Sequence, residues 1–176
     1  MTQTNNFVNI VTALEDAFNR HAVDELMAMF TDDAVLELKG LARAVGKNEI
    51  RPIFEYDIGV NGSAQFLDRM VANDTVRCQF VEANDRLRAA GLEHIVYAPC
   101  VISFRNSLIS SWWAVPDQAA TQKFDQFWGP ARDWIEKNHP TDYQRIYTGE
   151  GKFIRNRENG ARVVELSRQY RKVLGP

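Results

Sequence analysis

Apolar side chains recur at helical spacing near the start of the chain. Phe7, Ile10, Val11, Leu14 and Phe18 share one stripe, with Glu15, Asp16, Asn19 and Arg20 off it, which predicts an amphipathic helix. Val23, Leu26, Met27 and Phe30 form a second stripe. Asp24 and Glu25 fall in its first turn, where carboxylates suit the helix dipole. The two helices meet at a tight corner near His21, and Thr31-Asp32-Asp33 ends the second. AVLEL, residues 34–38, then reads as a short strand with Leu36 and Leu38 on one face, and residues 40–46 read as a loop. Asn48 is placed to cap a third helix reaching about Tyr56, with Ile50, Ile53 and Phe54 inward and Pro52 in its first turn, where a missing N–H costs little.

Past the break at Gly59-Val-Asn-Gly62 the pattern changes. AQFLDRMVA, TVRCQFVEAN, EHIVYAPCVISF and LISSWWAV are rich in β-branched and aromatic residues. Asn73-Asp74 and Asn106-Ser107 supply short turns, and residues 86–91 a longer loop. Four strands in series make an antiparallel meander. From Asp117, an expected helix cap, the spacing is helical again. Phe124, Phe127 and Trp128 precede a Gly129-Pro130 break and Trp134 and Ile135 follow it, so a kinked helix or two short ones are expected up to His139-Pro140. A last helix is expected over residues 159–173. Helices segregated to one face of a curved antiparallel sheet make an α+β fold, here a cone over residues 1–117 with the AVLEL strand at an edge of its sheet, and a helical extension over residues 118–176 packed on the same domain.

Composition narrows the function classes. With 45% hydrophobic residues the chain can bury a sizeable core. A net charge of -2 leaves no basic excess for phosphate backbones, so nucleic acid is not an expected partner. The basic residues of the last quarter alternate with Glu150, Glu158 and Glu165, as on a solvated helix face. Cys78 and Cys100 form no CxxC pair, the first residues lack a signal-peptide pattern, and no segment is long enough to span a bilayer. A cytoplasmic location and no membrane partner are therefore expected. No two of the three histidines have metal-ligand spacing, and neither HExxH, GxGxxG nor GxSxG occurs, so neither metal nor cofactor is expected.

The corner NRHAVDELMAMFTDDAVLEL, the VGKNEIRPIF helix and the hairpin ISFRNSLISSWWAVPD together resemble the nuclear transport factor 2-like superfamily. Its ketosteroid isomerase-like, limonene-epoxide-hydrolase-like and SnoaL-like branches are meant. The resemblance covers about residues 7–117 and implies a cystatin-like α+β cone, an apolar pocket and a homodimer. It does not imply the known catalytic sets. Leu14, Leu38 and Cys100 stand where ketosteroid isomerases have their tyrosine and two aspartates. Leu36, Leu38, Phe80, Glu82 and Ala114 stand at the epoxide-hydrolase positions, so one acid survives and Trp112 matches that branch's tryptophan.

Strand alternation supplies the rest of the expected site. If Leu36 and Leu38 face in, so do Cys78, Phe80, Glu82, Asn84, Val96, Ala98, Cys100, Ile102, Ser110, Trp112 and Ala114. Of these, Leu36, Leu38, Phe80, Asn84, Ala98, Cys100, Ile102, Trp112 and Ala114 are the expected walls for a small apolar molecule. Glu82 is the expected general base, because a carboxylate in an apolar cavity has its pKa raised; the alternative is that it pairs with an arginine of the 86–91 loop. Asp68 is the second acid candidate. Glu55 and Asp57, at the end of the third helix, are expected on the surface, the alternative being that Tyr56 or Asp57 lines the mouth. The aromatic tail is expected to cap the cone, cover its outer face or build a dimer contact, a lid or outer cover being preferred to a nucleic-acid stacking platform. Two function classes follow: an acid–base enzyme (isomerase, cyclase, dehydratase or hydrolase) acting on a terpenoid, polyketide or steroid-like compound, or a carrier for such a ligand. A filled cone acting as an interaction domain is the third.

Overall fold

The computed structural model describes residues 3–175; Met1, Thr2 and Pro176, the outermost residues of the two expected segments, lie outside them. Helix α1 (Gln3–Asn19) buries Phe7, Val11, Leu14 and Phe18. It stops where His21 takes a left-handed backbone, φ 57°, and Ala22 N–H bonds back to the Ala17 carbonyl. The corner is pinned when His21 Nε2 meets the Gly62 carbonyl oxygen at 2.9 Å. Helix α2 (Val23–Ala28) is shorter than its apolar stripe suggests, because Phe30 is drawn into strand β1 (Phe30–Leu38) opposite Ile109.

The six-stranded sheet runs β2-β1-β6-β5-β4-β3. Its members are β1, β2 (Ala42–Val45), β3 (Ser63–Ala72), β4 (Thr75–Ala83), β5 (Ile95–Arg105) and β6 (Leu108–Pro116). Four strand pairs are antiparallel, while β1 and β6 are parallel. The expected loop after Gly40 contains β2, which buries Ala44 and takes the edge, so β1 lies one strand in from it. From β2, helix α3 (Lys47–Gly59) carries the chain toward β3 at the opposite edge of the sheet, burying Ile50, Ile53 and Phe54. Gly46, not Asn48, occupies its N-cap, so Pro52 falls beyond the first turn.

Within the β3–β6 meander, three irregularities set which side chains face inward. At Asp68, φ 54°, the β3–β4 register shifts between Leu67 and Met70. Gln79 on β4 faces both Ala98 and Pro99 on β5, since Cys78 pairs with Cys100 and Phe80 with Tyr97. A further shift lies between Ser103 and Phe104, opposite β6. Each extra residue moves the alternation to the other face. Below these shifts the core is apolar and dense, with Leu14, Phe30, Leu36, Ile102, Ile109 and Trp112 at most 2% exposed.

The remaining helices are α4 (Asp85–Ala89), α5 (Gln118–Asn138), α6 (Pro140–Ile146) and α7 (Arg157–Val173). The expected loop at residues 86–91 thus opens with a helical turn, capped by Asn84, whose side-chain oxygen accepts from Leu87 N–H at 2.8 Å. Asp117 caps α5 by accepting from Ala120 N–H at 2.7 Å. Helix α5 continues through Gly129-Pro130, with Phe127, Ala131 and Ile135 buried along one side. Helix α7 crosses α3 with backbones in contact: a Cβ on Gly160 would lie 2.6 Å from the Tyr56 carbonyl oxygen, and one on Gly59 only 2.1 Å from that of Arg157. Arg157 also pairs with Glu55 on α3, and Arg168 with Asp85 on α4, so part of the basic set expected to be merely solvated bridges the extension to the cone.

Candidate functional site

A cavity of about 190 Å³ opens inside the cone at the end nearest the extension. Leu36 and Leu38 of β1, Phe80 of β4 and Trp112 of β6 form its apolar wall. The aromatic part is rigid. Phe80 stacks on Tyr97 with ring centroids 4.9 Å apart and meets Trp112 edge-on at 5.1 Å. Thr121 and Phe124 of α5 and Arg155, just before α7, complete the wall, so the extension lies over the mouth of the cone.

The polar groups converge at that same end. Glu82, near the end of β4, accepts hydrogen bonds from the Tyr97 hydroxyl at Oε2 and from Asn84 Nδ2 at Oε1, both at 2.7 Å. Because Asn84 also caps α4, its amide is held in place, and Tyr97 is only 1% exposed. Asp57, near the end of α3, lines the cavity as well, and its carboxyl makes no hydrogen bond among the described residues. Arg86 donates to the Tyr56 hydroxyl at 2.9 Å and stacks on Trp128, its guanidinium carbon 3.7 Å from the ring centroid.

These surroundings perturb both acids upward. Burial is the largest influence on Glu82 and disfavours its charge; the bonds from Tyr97 and Asn84 and the charge of Arg86 act in the opposite sense. Burial pushes Asp57 well above the usual carboxylate range, the Glu82 charge adds to this, and only Arg155 opposes it. Glu82 has two donors and Asp57 none, so the coupled pair is best described as one charge on Glu82 and one proton on Asp57. Burial, with the Glu82 charge behind it, likewise keeps Tyr97 protonated as a donor.

The structure brings Glu82, Leu36, Leu38, Phe80, Asn84 and Trp112 together around the cavity. Cys100, Ile102 and Ala114 do not line it; they are fully buried in the packed core. Ala98 is exposed, because the two-residue bulge it shares with Pro99 turns it out of the cone and puts Tyr97 in its place. Asp68 is exposed too and accepts from Gln79 Nε2 at 3.1 Å. The shift in β3 instead directs Arg69 to Glu15 on α1, a partly buried pair 2.6 Å apart. Arg86 does not bond Glu82 directly but reaches it through its charge. Sequence reasoning missed Tyr97, Arg86 and Arg155 as members of the site. A proline inside a strand pattern is a bulge signal, so Pro99 carried the information that would have found Tyr97. Among the described residues no cluster of three or more His, Cys, Asp or Glu side chains is placed to hold a metal ion, and no helix is long and apolar enough to cross a membrane.

No protein-family model and no curated protein matches this sequence. Solved structures do. One is the epoxide hydrolase/cyclase-like enzyme SalBIII, with a role in pyran ring formation in polyether salinomycin: TM-score 0.59 and 17% identity over 68% of this chain and 97% of that one. A second is an LEH-like epoxide hydrolase of M. tuberculosis, with TM-score 0.56 and 18% identity over 79% of this chain and 99% of the other. A third is an NTF2-like protein from Cytophaga hutchinsonii, with TM-score 0.54 and 9% identity over 66% and 94% of the two chains. At such identities the likeness is one of fold.

Proposed function

We propose that this chain puts its nuclear transport factor 2-like fold to use as an acid–base enzyme acting on a compact, mainly apolar molecule. The observation that carries the reading is the pair Glu82 and Asp57, two carboxyls at one apolar cavity, both held toward the protonated form by burial. Groups with perturbed pKa values in a cleft are candidate acids and bases, and two such groups with different environments divide the roles. Glu82, charged and oriented by Tyr97 and Asn84, takes a proton from water or from a substrate hydroxyl or carbon acid. Asp57, protonated, gives one to the oxygen that departs or becomes an alcohol. The proton then returns from Glu82 to Asp57, so no net charge is left behind.

Size narrows the substrate. About 190 Å³ is more than the roughly 150 Å³ that holds a benzene, and less than the roughly 300 Å³ where pockets for drug-sized ligands begin. A monoterpenoid or small polyketide fragment suits it; a steroid would require the mouth to open. The reactions named for SalBIII and the LEH-like hydrolase support epoxide opening or closure as the first chemistry to try, since it needs one proton removed from the nucleophile and one delivered to the ring oxygen.

A second reading, a carrier without turnover, is favoured by one observation: both Glu82 oxygens already accept internal hydrogen bonds, as in a structural network. A Glu82→Gln variant separates the two. Wild type and variant are incubated with a panel of small cyclic epoxides and hydroxy-epoxides, with products followed by chromatography and binding by calorimetry. The enzyme reading expects turnover to fall by about a hundredfold or more while affinity holds. Unchanged turnover, or none by wild type on any panel member it binds, favours the carrier.

A further inference from the structure

The geometry points to an anion-binding vestibule in front of the apolar cavity, and hence to a ligand with an apolar body and a carboxylate or phosphate end. It rests on the reading above in placing the apolar body inside the cone. A second hollow, of about 200 Å³, lies where the extension meets the cone and shares Tyr56, Arg86 and Arg155 with the first. Arg132 of α5 is its third cation, and no carboxylate lines it. Of the extension's other arginines, Arg145, Arg157, Arg162 and Arg168 pair with acids, and Arg171 does not line this hollow. Arg86, Arg132 and Arg155 make no such pair among the described residues; their contacts are to the Tyr56 hydroxyl, the Tyr147 ring and the Leu41 carbonyl. In the adjoining cavity Glu82 supplies one negative charge, against three guanidiniums.

The walls of this hollow strengthen the case. Trp128, Tyr147 and Phe153 line it, and a low-dielectric surround makes a guanidinium bind an anion more firmly than open water allows. Two polar atoms of its lining residues are buried with no protein partner, Arg86 Nε and the Tyr147 hydroxyl, both able to donate. Planar guanidinium groups match carboxylate and phosphate oxygens, so the missing counter-charge is of that kind. The vestibule is built by the extension, and it would fix which end of an otherwise featureless apolar ligand faces Glu82 and Asp57.

Calorimetry with octanol, octanoate and octyl phosphate tests this on three proteins: wild type, Arg132→Gln, whose side chain lines the vestibule and not the cavity, and Leu38→Trp, which fills the cavity. Wild type should bind at least one anion tenfold or more tighter than octanol, and the tighter of the two names the headgroup. Arg132→Gln should lose most of that preference and keep its octanol affinity. Leu38→Trp should lose all three ligands. Should Arg132→Gln not fold, titration of wild type in rising sodium chloride replaces it, with anion affinity falling and octanol affinity constant. Equal affinity for octanol and both anions overturns the vestibule and leaves the apolar cavity standing. Anion binding that survives Leu38→Trp overturns the two-part ligand. Failure of wild type to bind octanol strikes the cavity reading itself.

Discussion

Replacing Asp57 by Asn removes the more strongly perturbed of the two acids at almost constant volume, and it breaks no hydrogen bond among the described residues. A carboxyl whose folded pKa lies above its unfolded value binds more protons in the folded chain. Its proton therefore supports the fold fully below the ordinary carboxylate range, and that support is lost as pH rises toward the folded pKa. The slope for one such proton approaches about 1.4 kcal/mol per pH unit. Asp57 and Glu82 both have raised values and repel one another, so wild type should lose stability between pH 5 and 8 at up to that rate, or up to twice it where both titrate. The acids held low by partners, such as Asp33 beside Arg105 and Asp142 beside Arg162, withdraw their support only at more acid pH and leave this window clear. In Asp57→Asn one proton leaves the count. The variant should gain stability relative to wild type as pH rises, and its slope should flatten by up to about 1.4 kcal/mol per unit. Guanidinium unfolding followed by tryptophan fluorescence at pH 5, 6, 7 and 8 measures this directly. Identical slopes for the two proteins, or a wild type that grows more stable from pH 5 to 8, would refute the buried-pair reasoning.

Three other perturbations probe separate parts of the structure. Gly160→Ala forces a methyl group to within 2.6 Å of the Tyr56 carbonyl oxygen, so it should cost about 1–3 kcal/mol and speed limited proteolysis of residues 147–156; normal stability would contradict the helix crossing. Tyr97→Phe deletes the hydroxyl that donates to Glu82 at 2.7 Å, and the Glu82 titration, read by carboxyl NMR, should move further up; an unmoved titration would contradict that hydrogen bond. Phe80→Ala empties the centre of the aromatic wall and should cost about 3–5 kcal/mol in chemical denaturation, while admitting a bulkier apolar ligand; a loss below about 1 kcal/mol would mean the wall collapses freely.

What could be read beforehand followed periodicity. The stripes of α1, α2 and α3 and the meander of β3 to β6 gave the layers, because burial on one face imposes a repeat on the residues. β2 escaped because four residues buried mainly through Ala44 leave almost no repeat to read. The continuity of α5 escaped because Gly129-Pro130 is a local stop signal, while Phe127, Ala131 and Ile135, on one buried side, are a tertiary reason to continue. Within the site, Leu36, Leu38, Phe80, Glu82 and Trp112 obeyed plain alternation. Ala98 and Asp68 failed at the two bulges, where one extra residue reverses the count. Arg86, Asp57 and Arg155 belong to helix ends and connections, where no period exists and only the packing of distant segments decides which group reaches the cavity.

That packing makes the acid pair depend on the extension. An open cone mouth would leave Asp57 and Glu82 in water, and a hydrated carboxyl keeps its ordinary pKa. Here α5 lays Thr121 and Phe124 over the mouth, Trp128 covers Arg86, and α7 fixes the backbone of α3 through Gly59 and Gly160, two and three residues from Asp57 and Tyr56 respectively in the case of Gly59. Burial is the first cause of the shift in both acids, so the helices that exclude water there set the protonation of the pair as surely as the strand that carries Glu82. The same helices bring Arg132 and Arg155, whose charges would otherwise lie far from any substrate. A cone of this fold without its tail would keep its apolar wall and its glutamate, yet lose the dry surroundings that raise that glutamate's pKa and, on the proposed function, the cations that would orient its substrate.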